Sequence, residues 1–285
     1  MRVLTVNIYE YMSVGESEKP LDRIVTDGGF SAIFRTIACI GDSLSSGEFE
    51  SVNPDVTKGY DDIFDHTWIN PDGTKGYHDS FDYSWGQFIA RDTGAKVYNF
   101  SRGGMTAKEY VEDFADKMGF WDKDKLAQAY IIALGVNDVM HWGFEVGTAN
   151  DVCLDDPSKN ATTFAGYYAR IIQKIKELQP RAKFFLVTMP RHGNEGDEKR
   201  GAVRDLLDDF TRLFGNTYLI DLYTYAPVND AEFEKKFRLG HMTPTGYVLT
   251  AKMIESYIDY IIRKNPDDFS QVGFIGTDLY YKPEN

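Results

Sequence analysis

The chain has 285 residues, of which 42% are hydrophobic and 26% charged, the balance of a globular protein rather than a disordered one. Its 31 basic and 44 acidic side chains leave a formal charge of −13, which argues against nucleic-acid binding through a broad basic face. No apolar run approaches the roughly 18–20 residues of a membrane span, and the opening MRVLTVNIYEYMSVGE lacks the apolar core of a signal peptide, so a cytoplasmic protein without membrane contact is expected.

In chain order, residues 34–40 (FRTIACI), 95–100 (AKVYNF), 130–134 (YIIAL), 183–189 (KFFLVTM) and 218–222 (YLIDL) are short apolar runs rich in Val, Ile, Tyr and Phe. They read as strands, and their unbroken apolar character predicts burial on both faces of a parallel sheet. Helical patterns lie between them. Thr106 and Glu109 make a T-x-x-E capping box ahead of Tyr110, Val111, Phe114 and Met118 on one face. Phe164, Tyr168, Ile171, Ile172, Ile175 and Leu178 repeat at three and four before Pro180. Val203, Leu206, Leu207, Phe210, Leu213 and Phe214 do the same, with Gly215 as the expected C-terminal cap. A last helix begins at Pro244 and carries Val248, Ile254, Ile258, Ile261 and Ile262.

Strand–helix alternation of this kind predicts an α/β protein with helices on both faces of the sheet, because parallel strands need crossover connections. Ligands in such folds bind beyond the carboxyl ends of the strands. Residues 51–83 and 139–160 break the alternation and both follow strand ends, so they are expected as insertions on the functional edge of one domain, 1–285. The first insertion sets Tyr60, Phe64, Trp68, Tyr77, Phe81 and Tyr83 among Asp61, Asp62, Asp65, Asp72, Asp79 and Asp82, a pattern that suits an aromatic substrate rim; no metal-ligand spacing occurs in it. Cys39 and Cys153 stand in unrelated contexts, so neither a disulfide framework nor a cysteine zinc site is expected.

The dinucleotide fingerprint, the P-loop, H-E-x-x-H and the G-x-S-x-G elbow are all missing. Four other blocks stand at strand ends or before the last helix. They are Gly41-Asp42-Ser43-Leu44-Ser45, Asn99 through Gly103, Gly104 and Thr106, Gly135-Val136-Asn137-Asp138, and His241 through Gly246 and Tyr247. A serine just past a buried strand is held at the sheet edge, beside the free N–H groups of a helix start. An imidazole suits the removal of its proton near neutral pH, and fixed N–H or amide donors stabilise the oxyanion of acyl transfer.

In this order the blocks resemble those of the SGNH hydrolases, also called the GDSL esterase/lipase family, over about residues 34–262. The resemblance implies a three-layer α/β/α sandwich of flavodoxin type, built on a parallel five-stranded sheet, with no cofactor and no metal. It implies Ser43 as nucleophile, His241 as general base, and an oxyanion hole made by the Ser43 and Gly104 backbone N–H groups and the Asn137 amide. The family places an aspartate three residues before its histidine, where this chain has Arg238. An arginine cannot accept the imidazole N–H. Either a Ser–His dyad operates or another carboxylate substitutes, with Asp221 and Glu234 as candidates. Arg191 and His192, after the fourth strand, are candidate substrate contacts.

The expected activity is hydrolysis of short-chain acyl esters through an acyl-Ser43 intermediate, with O-acetyl groups on carbohydrate as the favoured substrate. A small-molecule or carbohydrate ester is thus the expected partner. Lysophospholipase, thioesterase or acetyltransferase chemistry at the same site stays open, as does a glycan-binding protein with little turnover.

Overall fold

The apolar runs are unbroken because each strand is covered on both sides. The computed structural model describes residues 12–50 and 77–279. Its main elements are β1 (Thr36–Gly41), α1 (Ser43–Ser46), β2 (Glu48–Glu50), β3 (Tyr77–Asp79), α2 (Trp85–Thr93), β4 (Lys96–Ser101), α3 (107–117) and β5 (Ala129–Ala133). There follow α4 (Phe164–Leu178), β6 (Lys183–Val187), α5 (Asp197–Leu213), β7 (Thr217–Ile220), α6 (Leu222–Tyr225), α7 (Ala231–Phe237), β8 (Arg238–Leu239), β9 (His241–Met242) and α8 (Pro244–Lys264). The main sheet is parallel throughout and ordered β4-β1-β5-β6-β7, the flavodoxin-type arrangement.

Alternate strand residues go to opposite layers. Ala38, Ile40, Ile132, Phe184 and Leu186 pack with Tyr110 of α3, Ile172 of α4 and Phe210 of α5. Ile37, Cys39, Ile131, Phe185 and Val187 pack with Ile89 of α2 and Ile254 and Ile258 of α8. The result is an α/β/α sandwich in which β1, paired between β4 and β5, ends at Gly41, directly before the Asp42–Ser43 turn.

Three local readings are corrected. Helix α3 contains a π-turn, Tyr110–Phe114, which adds a residue to one turn and rotates the last turn of the helix; Met118 is therefore half exposed although its spacing from Phe114 is helical. The capping box there is one-sided: Thr106 accepts from the Glu109 N–H at 3.1 Å, while the Glu109 carboxylate turns to Arg102. After α5 the left-handed residue is Asn216 (φ 59°), not Gly215, and its side-chain oxygen accepts from Lys183 Nζ at 2.6 Å.

Two small two-stranded antiparallel sheets, β2 with β3 and β8 with β9, lie outside the main sheet. Of the insertion expected at 51–83, residues 51–76 lie outside the described residues; 77–79 form β3 and Phe81–Tyr83 a 3₁₀ turn. Residues 139–160 begin within a π-turn, Val136–His141, and continue through 3₁₀ turns at Ala149–Asp151 and Pro157–Lys159. Among the described residues no helix is long and apolar enough to cross a membrane.

Candidate active site

Ser43 opens α1 because Asp42 caps it. The Asp42 carboxylate accepts the Leu44 N–H at 3.0 Å, and its carbonyl accepts the Ser45 and Ser46 N–H groups. Gly47 then ends the turn at φ 81°, a conformation that glycine adopts without strain. Ser43 is left half-buried at the carboxyl end of the sheet.

Gly104 follows the neighbouring strand β4 in a turn closed by the Met105 N–H on the Arg102 carbonyl, 3.2 Å. It has φ 72°, and a Cβ there would meet nothing within 4 Å, so backbone conformation rather than space calls for glycine. Asn137 follows β5 on the π-turn. Its Nδ2 donates to the Met105 carbonyl at 3.1 Å, which fixes the amide against the Gly104 turn and leaves its second N–H for another acceptor. Next to it, Asp138 Oδ1 accepts the Ala107 N–H at 2.9 Å, tying this turn to the start of α3.

His241 arrives from the far edge of the sheet. Gly240 (φ 72°) turns the β8–β9 hairpin, and Thr243 then caps α8, accepting from the Gly246 N–H at 3.2 Å. Ser43, Gly104, Asn137 and His241 all line one open cleft, together with Glu48, Arg102, His141, Trp142 and Arg238.

The structure separates the remaining candidates from this group. Asp221 caps α6 through the Thr224 N–H (3.0 Å) and receives Arg204 Nε at 3.0 Å, so its carboxylate serves the fifth strand's own turn. Glu234 pairs with Arg238 at 3.2 Å, and Arg238 also donates to the Gly240 carbonyl at 2.8 Å. Among the described residues, a carboxylate stands beside His241: that of Glu48, whose Oε1 lies 3.6 Å from His241 Nε2. Neither Arg191 nor His192 is among the described residues lining the cleft. Arg191 is exposed and donates to the Tyr223 carbonyl at 3.1 Å. Burial, with Arg200 and Arg238 nearby, pushes the His192 imidazole down to about 4 and keeps it neutral.

Carboxylates crowd the floor of the site. Burial pushes Asp42 up to about 7, reinforced by the negative charges of Asp138 and Glu48. Burial likewise raises Asp138 to about 6, and one of its oxygens has no hydrogen-bond partner among the described residues. Among the described residues no three His, Cys, Asp or Glu side chains group as metal ligands would.

Residues 39–249 match a model of the GDSL-like lipase/acylhydrolase family. A family two carbohydrate esterase from Clostridium thermocellum, solved in complex with cellohexaose, is similar in structure at 18% identity and a TM-score of 0.51, over 82% of this chain and 65% of that one. A carbohydrate esterase family 2 enzyme with a carbohydrate-binding domain from Corynascus thermopiles (Myceliophthora fergusii) is similar at 17% identity and a TM-score of 0.50, over 79% and 65%. This chain thus spans slightly less than two thirds of either esterase. A protein from Lactobacillus plantarum is similar at 15% identity and a TM-score of 0.53, over 79% of this chain and 97% of that one. At these identities the likeness is one of fold. No curated protein sequence matches the chain.

Proposed function

The chain belongs to the GDSL-like lipase/acylhydrolase family, and from that premise we propose that it is a serine esterase that releases short acyl groups, foremost acetyl, from carbohydrate. The observation that carries the reading is the convergence of Ser43, Gly104, Asn137 and His241 on one cleft from four separate stretches of chain. Ser43 Oγ attacks the ester carbon as His241 takes its proton, and the carbonyl electron pair becomes an oxyanion. The Ser43 and Gly104 N–H groups and the free Asn137 N–H receive that charge. Collapse breaks the bond to the alcohol, which leaves with the proton from the imidazolium. Water then repeats the sequence on acyl-Ser43 and frees the acid.

A sugar alcohol is supported by Trp142, which stands at the cleft with 69% of its surface exposed and offers an amphipathic ring on which a sugar face can lie. Carbohydrate esterases among the structural neighbours agree with this choice. A short acyl group is supported by the apolar wall of the cleft, Leu44 and Val136. Behind it lies a cavity of about 90 Å³, also lined by Trp85, Met189 and Leu222, smaller than the roughly 150 Å³ that accommodates benzene.

Acetate release from acetylated oligosaccharides tests the proposal. Turnover should fall by about 10³-fold or more in Ser43→Ala. Along a p-nitrophenyl ester series, kcat/KM should decline from acetyl to octanoyl; a steady rise would indicate a long-chain enzyme. Carbohydrate binding without Ser43-dependent turnover would identify a binding protein instead.

A further inference from the structure

We infer that Glu48 is a positioning residue that supplies negative charge to His241 in a chain that carries Arg238 three residues before the histidine; this rests on the esterase reading above. Three features of the structure converge on Glu48, two on its carboxylate and one on its backbone. Oε1 lies 3.6 Å from His241 Nε2, and the two side chains are largely buried, with 10% and 20% of their surface exposed. The other oxygen lies over Gly103, where a Cβ would come within 2.1 Å of Oε2, so this glycine makes the room that the carboxylate occupies. The backbone is fixed as well: the buried Tyr247 hydroxyl, one turn into α8, donates to the Glu48 carbonyl at 2.7 Å and reaches the Ser43 carbonyl at 3.4 Å.

Glu48 is therefore held by the nucleophile's turn, by the glycine turn after β4 and by the helix that follows His241. At 3.6 Å the contact is longer than a hydrogen bond, so the carboxylate acts through its charge. It takes no proton from serine. When His241 accepts the Ser43 proton, the imidazolium forms beside a fixed, largely buried anion, and such a charge favours the protonated ring. Arg238 is kept from opposing it by its own engagement with Glu234 and the Gly240 carbonyl.

Glu48→Gln keeps the shape and removes the charge. Its kcat should fall by about 10²-fold or more with KM changed less than about threefold. The acid limb of kcat/KM should move to lower pH by about one unit, because an imidazole without its anion loses its proton more readily. Lost packing alone would lower activity without moving that limb. Asp42, Asp138, Arg102, His141, Arg238 and the Tyr247 hydroxyl surround the pair in both proteins; Asp42, which the Glu48 charge helps to raise, ionises more readily in Glu48→Gln and offsets part of the change, so the shift read is the net one. Glu48→Asp should recover about tenfold over Gln.

Gly103→Ala gives a second reading with the charge retained: its methyl group pushes the carboxylate aside, so kcat should drop about tenfold and the limb should shift the same way. A folded Glu48→Gln or Gly103→Ala enzyme with wild-type kcat and an unmoved limb would overturn the assignment while leaving the esterase intact. A wild-type protein lacking Ser43-dependent turnover would overturn both.

Discussion

Helix α8 and the cleft treat buried charge in opposite ways. Near the C-terminus of the helix, Arg263 and Asp259 are both almost fully buried, and Arg263 Nε donates to Asp259 Oδ2 at 2.8 Å. Further guanidinium N–H groups reach the Ser13 carbonyl (3.0 Å) and Glu18, and the other Asp259 oxygen accepts the Phe30 N–H at 2.9 Å. This cluster clamps the N-terminal segment onto the sandwich, one guanidinium serving two carboxylates. Beside the cleft, Asp42 in the nucleophile turn and Asp138 after β5 are met by backbone N–H groups and are pushed up toward neutrality. Charge that holds the fold is paired in place. Beside the serine, carboxylates met only by backbone N–H groups are instead driven toward their neutral forms.

The comparison can be broken at either end. The largest loss of stability belongs to Arg263→Met, which strands Asp259 in the interior. It should cost about 3–5 kcal/mol and lower Tm by about 10 °C, while the folded protein keeps wild-type turnover below its transition. Calorimetry together with kcat at about 20 °C would check both halves; an unchanged Tm would show that the cluster is not holding the segment. Asn137→Ala should do the reverse, lowering kcat by about 10²–10³-fold through the lost oxyanion donor, with the bond to Met105 costing only about 1 kcal/mol of stability.

The smallest effect sharpens the contrast through pH. Asp42 has a folded pKa near 7, above its unfolded value, so the native state binds its proton more tightly. The resulting destabilisation is absent below about pH 4, grows as pH rises toward 7 and is complete above it. Asp42→Asn keeps a capping oxygen, and should raise Tm by about 3 °C at pH 8 with the gain fading by pH 4. Thermal scans across that range would show it; a gain independent of pH would contradict the sign.

The sheet was legible because the physics that made it is local to each strand. Ile37 to Ile40 must satisfy two apolar layers at once, and the run carries no polar residue to say otherwise. The turn blocks were legible for a similar reason: Asp42-Ser43 and Gly104 follow their strands within a few residues, where cap and glycine chemistry leave a short-range trace. Glu48 left none. It meets His241 only because β2 and β9 are folded beside the nucleophile turn, and nothing in the spacing of either residue points to the other. Asp221 drew notice for standing at a strand end, but its work is to cap α6 and hold Arg204. Met118 was misread because one extra residue in a π-turn shifts the face without altering the apolar spacing.

The central claim is that Ser43 is the acyl-accepting nucleophile of a cleft assembled around His241. A fluorophosphonate probe followed by peptide mass spectrometry tests it most directly. The account predicts one modified serine, Ser43, with labelling lost in Ser43→Ala and slowed by about 10²-fold or more in His241→Ala. Labelling that persists in Ser43→Ala, or that falls on another serine in the wild type, would contradict it.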